Sequence, residues 1–306
     1  MTYGWIFLGI RYWEFLGMRM QKDSFREIKN FVPRWEEEDL YFQVNNIRYV
    51  KILEDKYSCY ELFKNYYLRK VVGSEQKNEL NDFIKNTDGF IVKPLGGMCG
   101  TGIEIVRHAD EKCVTDLYEK HEGPFLVEEL IKQDKRIAEL HSESVNTIRV
   151  FTINYGGEIE VEWPCLRVGR GKTAVDNMGK GGIGIAINKV TGVAINAGDE
   201  KGNVYYSHPE SNVDLVGFQV PEWNALCKIV KEMAEKCPDC RIMGWDMALS
   251  EQGWCVVECN FGPGIIYQYA NRSGERKRFE DVKKRLGSTK GKSLRKHLPS
   301  PYLRKP

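Results

Sequence analysis

The sequence predicts an α+β protein whose antiparallel sheets are flanked by helices, and three observations carry that expectation. Residues 244–249 and 254–260 are apolar runs on either side of Ser250-Glu251-Gln252-Gly253, the pattern of a β-hairpin with a glycine-containing turn. Residues 90–94 and 103–106 read as a second pair of strands, joined by the glycine-rich stretch Leu95-Gly96-Gly97-Met98-Cys99-Gly100-Thr101-Gly102. Residues 221–236 place Trp223, Leu226, Ile229, Val230 and Met233 at helical spacing, so a helix precedes the hairpin.

In chain order, residues 1–55 read as mostly helical, with Glu36-Glu37-Glu38-Asp39 as a helix start or a solvated face. Segment 1–18 reads as an amphipathic helix. It carries Arg11 and Glu14 and lacks both the uninterrupted apolar span of a membrane helix and an evident cleavage site. Lys56 opens a short amphipathic helix, where its side chain and the helix N-terminus together would meet an anion. The loop at 95–102 suits backbone N–H groups wrapping phosphates, because glycine permits close approach. It is neither a Walker loop nor a Rossmann fingerprint, since no Gly-Lys-Ser/Thr ends it and a strand follows it. A purely structural glycine turn is the plain alternative.

A helix over 109–121 leads to a strand at 124–127 that runs into Glu128-Glu129-Leu130-Ile131. A strand ending in acidic residues can offer backbone groups to an adenine edge and a carboxylate to a ribose hydroxyl. Residues 144–151 start another strand, with Asn146 and Arg149 as polar outliers in an apolar run. An unpaired buried arginine is costly, so Arg149 reads as a phosphate or carboxylate clamp. Segment 158–196 reads as several strands. Its connecting loop, from Arg167 through Asp176-Asn177 to Gly182, has the glycine and charge content of a loop that moves over a site.

The hairpin has chemistry of its own. Residues two apart on a strand share a face, so Glu258 and Asn260 point the same way. Folding about the turn brings Asp246 opposite Val257 or Glu258. Two carboxylates and an amide oxygen suit Mg²⁺, while a strand whose polar face is merely wet is the alternative.

With 306 residues, 42% of them hydrophobic and 29% charged, the chain can bury the core of one or two domains. Its charge is unevenly placed: residues 272–306 hold thirteen Lys/Arg against three Asp/Glu, which leaves the remainder acidic. Such a tail fits an anionic membrane surface or a lipid-linked or phosphorylated substrate. Nucleic acid ranks last, because no aromatic-interleaved platform accompanies the basic residues. Nine cysteines, an odd number without disulfide-scaffold spacing, indicate a reducing cytoplasm. Cys237-Pro238-Asp239-Cys240 with Cys255 and Cys259 invites a zinc reading, against which Cys255 and Cys259 fall on a predicted strand.

In this order the pieces resemble the ATP-grasp superfamily, and more narrowly its sugar-transfer-associated or TupA-like branch, found among bacterial surface-polysaccharide genes. The residues that carry the resemblance are Glu54-Asp55-Lys56, Lys93 with the 96–102 loop, Val127-Glu128-Glu129 and Asn146-Thr147-Ile148-Arg149. Further on they are Asp176-Asn177 with Gly181-Gly182, His208-Pro209, Gly244-Trp245-Asp246 and Glu258-Cys259-Asn260-Phe261-Gly262-Pro263-Gly264.

The resemblance implies ATP held between two α+β lobes, residues 51–130 and 131–271, after a helical segment 1–50 and before the basic tail 272–306. Its phosphates would lie under Gly96, Gly97, Gly100, Thr101 and Gly102, with Lys56 and Lys93 touching them. Glu128, Glu129, Leu130 and Ile131 would face the adenosine, and Asn146 would join the ATP contacts. Arg149, with Arg167 and Asn177 of the mobile loop, would act on the transferring phosphate. Asp246, Glu258 and Asn260 would hold one or two Mg²⁺ (Mn²⁺ being the alternative ion).

The implied reaction joins a small-molecule or glycan carboxylate to an amine through an acyl phosphate, in the cytoplasm or at the inner face of the membrane. A phosphotransferase without ligation and a non-catalytic nucleotide-binding protein are the rival readings. Only about fifty residues precede Lys56, where such enzymes usually carry a larger Rossmann-like domain, so the acceptor surface is left open.

Overall fold

The computed structural model describes residues 9–18, 20, 23–95, 102–110 and 112–287. Helices α1 (Tyr12–Gly17), α2 (Phe25–Ile28), α3 (Arg34–Val44), α4 (Ile47–Glu54) and α5 (Lys56–Phe63) come first. They are followed by β1 (Val71–Gly73), α6 (Lys77–Lys85), β2 (Phe90–Pro94), β3 (Glu104–Val106), α7 (Cys113–Lys120) and β4 (Phe125–Glu129). Then come α8 (Lys135–Ala138), β5 (Thr147–Asn154), β6 (Ile159–Val168), β7 (Ile183–Ile187) and β8 (Ala194–Gly198). The last elements are α9 (Trp223–Glu235), β9 (Ile242–Ser250), β10 (Gly253–Asn260), α10 (Tyr267–Asn271) and α11 (Arg276–Leu286). The expected α+β class with antiparallel sheets is what the chain adopts.

The chain divides into two compact units, residues 51–132 and residues 1–50 with 133–306. The smaller unit is a four-stranded antiparallel sheet in the order β1-β4-β2-β3. The apolar sides of α6 (Leu80, Phe83, Ile84) and α7 (Leu117) pack on Val72, Phe90, Val92, Phe125 and Val127. Helix α5 begins where Asp55 accepts a hydrogen bond from the Ser58 N–H at 2.7 Å, so the chain's own carboxylate occupies the helix N-terminus expected to meet an anion.

The larger unit is a six-stranded antiparallel sheet in the order β10-β9-β5-β6-β7-β8. All nine residues of β9 are buried, because β10 and β5 flank it and both of its faces are covered. Helix α9 packs on β5 and β6 through Trp223, Leu226, Val230 and Met233. A separate core joins Leu40, Tyr41 and Val44 of α3 and Phe279, Val282 and Leu286 of α11 to Phe151, Ile153 and Ile242 of the sheet. Residues 276–286, read from sequence as part of a basic tail, are therefore a helix whose apolar side is core, and residues 288–306 lie outside the described residues.

Side chains that bond backbone tie the described residues between 9 and 50 into this unit. Gln268 accepts from Val32 N at 2.9 Å and donates to Val32 O at 3.0 Å. Arg272 donates to the carbonyls of Gly17 and Met18. Asn45 donates to Ile242 O at 2.8 Å and Phe261 O at 3.0 Å and accepts from Ile242 N at 2.9 Å. The start of β9 and the end of β10 thus depend on one amide side chain.

Replacing Asn45 with alanine leaves two carbonyls and one N–H unpaired in a buried setting. Asn45→Ala is expected to destabilise the protein by about 2–3 kcal/mol, read as a lower urea midpoint. An unchanged midpoint would mean that the carbonyls find other partners.

Candidate functional site

The larger unit presents a row of charged residues across neighbouring strands. Arg149 of β5 is the direct cross-strand partner of Asp246 on β9, and Asp246 is the partner of Glu258 on β10. This decides the register the sequence left open, and Val257 is accommodated by an irregularity between Val256 and Glu258. Two residues along β5, Thr147 is paired with Arg167 of β6. By the period-two rule, Thr147, Arg149, Phe151 and Ile153 lie on one face, as do Ile242 and Asp246. The helices cover the Phe151–Ile153 end of that face, and the polar row occupies the other end.

Asp246 is 1% exposed, and its carboxylate is bound bidentately: Arg149 Nε and Nη2 donate to Oδ1 and Oδ2 at 2.7 Å each. Arg167 Nη2 lies 3.0 Å from Oδ2. Burial alone would raise the Asp246 pKa, but the two guanidinium groups outweigh it and hold it below its ordinary value. Arg167 also donates to Thr147 Oγ1, and the Thr147 N–H and hydroxyl both donate to Asp176 Oδ2. Burial raises the pKa of Asp176 despite Arg167 and Thr147. Burial opposes the charge on Arg167, yet Asp176, Asp246 and Glu258 raise its pKa and keep it ionised. Among the described residues Arg149 Nη1 makes no hydrogen bond within the protein.

The root of the loop after β6 is pinned by side chains. Asn146 Oδ1 accepts from Gly169 N at 3.2 Å, His208 Nε2 lies 2.9 Å from Gly169 O and His141 Nε2 lies 2.8 Å from Gly171 O. A Cβ on Gly169 would lie 2.2 Å from Ser144 Oγ, so only glycine fits there. Asn146 was expected to touch ATP. It is 1% exposed, its amide nitrogen donates to Gln133, Ile137 and His141, and its oxygen also accepts from Ser144. Asn146 thus holds the root of the loop that follows β6. Asn177 caps the turn Met178–Lys180 by accepting from Gly179 N at 2.8 Å.

In the smaller unit, Lys93 Nζ is 2.8 Å from Glu128 Oε1, and Arg69 Nη2 is 2.6 Å from Glu128 Oε2. Lys93 pairs with Leu126 in the β2–β4 register, so Glu128 is its diagonal neighbour on the same face. Glu128 was expected to meet the nucleotide. It is 2% exposed, and its two carboxylate oxygens are engaged by Lys93 and Arg69. Glu129 is half-buried at the end of β4, followed by Leu130 and Ile131. Lys56 Nζ donates to Pro94 O at 2.9 Å, at the root of the glycine-rich loop. Gly96, Gly97, Gly100 and Thr101 lie outside the described residues, and Gly102 has the positive φ of 76° that glycine tolerates.

Sequence reasoning missed Arg69 altogether and named Thr147 and Asp176 only within the motifs of the resemblance, without a role. Arg69 stands with Lys70 just ahead of a three-residue strand, and only the β1–β4 pairing brings it to Glu128.

Asp246, Glu258 and Asn260 are an all-oxygen donor set if the Asn260 amide turns its oxygen inward. Its Nδ2 is buried without a hydrogen-bond partner. Asp246 Oδ1 accepts a single bond from Arg149 and keeps a lone pair. This set fits a hard dication better than zinc. Among the described residues no three His, Cys, Asp or Glu gather as a metal site, so Cys237, Cys240, Cys255 and Cys259 form no zinc knuckle; all four are buried and unbridged.

A family profile of sugar-transfer associated ATP-grasp proteins matches residues 36–284. No curated protein matches the sequence. Among solved structures, the ATP-grasp ligase PsnB complexed with a phosphomimetic variant of its minimal precursor, Mg and ADP is similar at 12% identity and a TM-score of 0.50, covering 79% of this chain and 61% of that one. The VanG D-Ala:D-Ser ligase of Enterococcus faecalis is similar at 12% identity and a TM-score of 0.50, covering 78% and 62%. The likeness is one of fold, and this chain spans less than two thirds of the length of either.

Burial raises the Glu128 pKa, but Arg69 and Lys93 outweigh it and bring it from 4.5 to about 2. A depressed carboxylate pKa contributes stability above about 4.5 that is lost as pH falls towards about 2. Unfolding midpoints of residues 51–132, followed by hydrogen exchange, are expected to fall across that window. Glu128→Gln should flatten this acid dependence and cost roughly 3 kcal/mol at neutral pH, because two buried cations lose the carboxylate charge between them.

Proposed function

The chain belongs to the sugar-transfer-associated ATP-grasp family, and from that premise we propose that it is an ATP-dependent carboxylate–amine ligase. The observation that supports this reading best is the row Arg149–Asp246–Glu258, in which a rigidly held arginine directs an unengaged Nη1 away from its carboxylate partner.

In the first step a substrate carboxylate oxygen attacks the γ-phosphorus of ATP, ADP leaves, and an acyl phosphate results. The amine then attacks the acyl carbon, the C–O bond to phosphate breaks, and the ammonium proton is lost, giving an amide and inorganic phosphate. Arg149 stabilises the negative charge that moves onto the transferring group. Its geometry is set in advance by Asp246, so no reorganisation is needed as the charge moves. Arg167, held by Thr147, Asp176 and Asp246, adds a second fixed cation.

Asp246, Glu258 and Asn260 would hold magnesium, which when bound offsets phosphate charge. In the smaller unit Lys93, oriented by Glu128, binds phosphate, and the backbone at Glu129, Leu130 and Ile131 meets adenine. The carboxylate is that of a uronic acid or amino acid and the product decorates a surface glycan or a small peptide; the family description supports the link to sugar alone.

The test follows ADP formation from Mg-ATP against a matrix of uronic acids, amino acids, peptides and amines. ADP that requires both a carboxylate and an amine is the expected result. ADP formed with one acceptor and no amine would make the protein a phosphotransferase. Arg149→Ala is expected to lower kcat by roughly 100-fold or more. A variant that leaves kcat unchanged would remove Arg149 from the chemistry.

A further inference from the structure

The motif His208-Pro209, one of those that carry the family resemblance, has no part in the chemistry proposed above. Its histidine side chain is buried at the root of the loop that leaves β6. Gly169 O can only accept, so His208 Nε2, 2.9 Å away, carries a proton and donates to it. On the other side of the ring, Nδ1 faces the N–H groups of Glu210 at 3.4 Å and Ser211 at 3.3 Å, with Glu210 Oε2 at 3.5 Å. The turn that follows is closed by Asn212 N donating to His208 O and His208 N donating to Val213 O. The orientation of the ring is therefore set by its own turn.

His141 does the same for the next carbonyl but one. Its Nε2 donates to Gly171 O at 2.8 Å, and its Nδ1 lies 2.8 Å from Ser144 Oγ. The two imidazole rings stand 5.5 Å apart, and Ser211 Oγ donates to Leu140 O at 2.8 Å, joining the turn after His208 to the residue before His141. Three separate segments, 140–146, 169–171 and 208–212, thus meet in one buried clasp. Gly169 and Gly171 are the positions where the chain could most readily take another course, since glycine has the widest choice of backbone angles.

The far end of this loop reaches the charged row. Thr173 Oγ1 shares its proton between Arg170 O at 2.9 Å and Val175 O at 3.2 Å, which braces the loop from just after the clasp to the residue before Asp176. Asp176 Oδ2 accepts from Thr147 N at 2.8 Å and lies 3.6 Å from Arg167 Nε. A Cβ on Gly182 would lie 2.4 Å from Asp176 O, so the returning chain packs directly on Asp176. An unbroken series of contacts therefore runs from the two histidines to the carboxylate that holds Thr147 and Arg167.

From this geometry we infer that His208 and His141 are positioning residues for the proposed ligase reaction. By holding the carbonyls of Gly169 and Gly171 they set the course of the loop that seats Asp176 against Thr147 and Arg167. Neither ring touches a reacting atom. With the carbonyls released, Asp176 loses its fixed place, and Arg167 loses one of the partners that aim it. Their effect on turnover rests on the ligase reading, and their hold on the loop does not.

The test compares His208→Gln with His208→Asn in the full chain. A glutamine amide reaches the place of Nε2 and can donate to Gly169 O, whereas an asparagine amide reaches only the place of Nδ1. Amide hydrogen exchange is followed at Gly169 and Thr147, whose N–H groups donate to Asn146 and Asp176. His208→Asn is expected to speed exchange at both by about tenfold or more, with His208→Gln close to the parent protein. In the ADP assay, kcat is expected to fall about tenfold or more in His208→Asn and to recover in His208→Gln, with KM for ATP unchanged. His141→Asn and His141→Gln repeat the comparison for the bond to Gly171 O, should His208→Asn fail to fold. Parent-like exchange in the asparagine variants, or equal losses in asparagine and glutamine variants, overturns the inference. Faster exchange at Thr147 with kcat unchanged overturns the role in the reaction and leaves the ligase reading standing. A parent protein that forms no ADP with any acceptor defeats the ligase reading instead, and the exchange rates still decide whether the histidines hold the loop.

Discussion

The pairing of Asp246 with Arg149 is the constraint on which the larger unit rests. A carboxylate in the middle of a strand buried along its whole length must find a cation or be neutralised, and Asp246 finds two. A one-residue slip of β9 against β5 would set Asp246 beside Ile148 or Val150 and strand the charges, at a cost of several kcal/mol. The register of the central strands and the geometry of the candidate site are therefore one fact. Glu258 is placed by the next pairing outward, and Thr147, Arg167 and Asp176 extend the network by one row.

What could be read from sequence was what depends on local pattern. The hairpin, the alternation along β5 and the apolar stripe of α9 are visible because period two and period 3.6 are written into neighbouring residues. Arg149 stood out as a polar outlier for the same reason, and the structure pairs it with Asp246. What stayed hidden depends on pairing between distant segments. The resemblance set Asn146 and Glu128 at the nucleotide, and sequence does not show the internal partners that each of them has. Asn146 meets the peptide of Gly169, and Glu128 meets Arg69 and Lys93, only once the strands have come together. Helix α11 was hidden differently: its surplus of charge masked Phe279, Val282 and Leu286, which recur at helical spacing and face the core.

The first fifty residues show a third kind of dependence. Their helices are short, and short helices have little stability of their own. They are held by side chains that reach backbone groups far along the chain, Gln268 at Val32, Arg272 at Gly17 and Met18, and Asn45 at Ile242 and Phe261. Such bonds fix backbone position more firmly than apolar contact, which tolerates sliding. The segment is thereby part of the larger unit, and it closes the Phe151–Ile153 end of the sheet face that the charged row leaves to it.

That division of one sheet face into an apolar end and a charged end explains how the arginines can be both buried and available. Burying an arginine costs desolvation, which its partners must offset. Asp246 and Asp176 do so on one side of the two guanidinium groups, leaving the far edge of Arg149 with an unmet donor. Asp246 and Asp176 balance the two arginines, and Glu258 leaves an excess of negative charge. A hard dication on Asp246, Glu258 and Asn260 would reverse that sign and make the row attractive to phosphate. Under the proposed ligase reading, the carboxylates position the cations and, with metal bound, would cease to repel a phosphate brought to them.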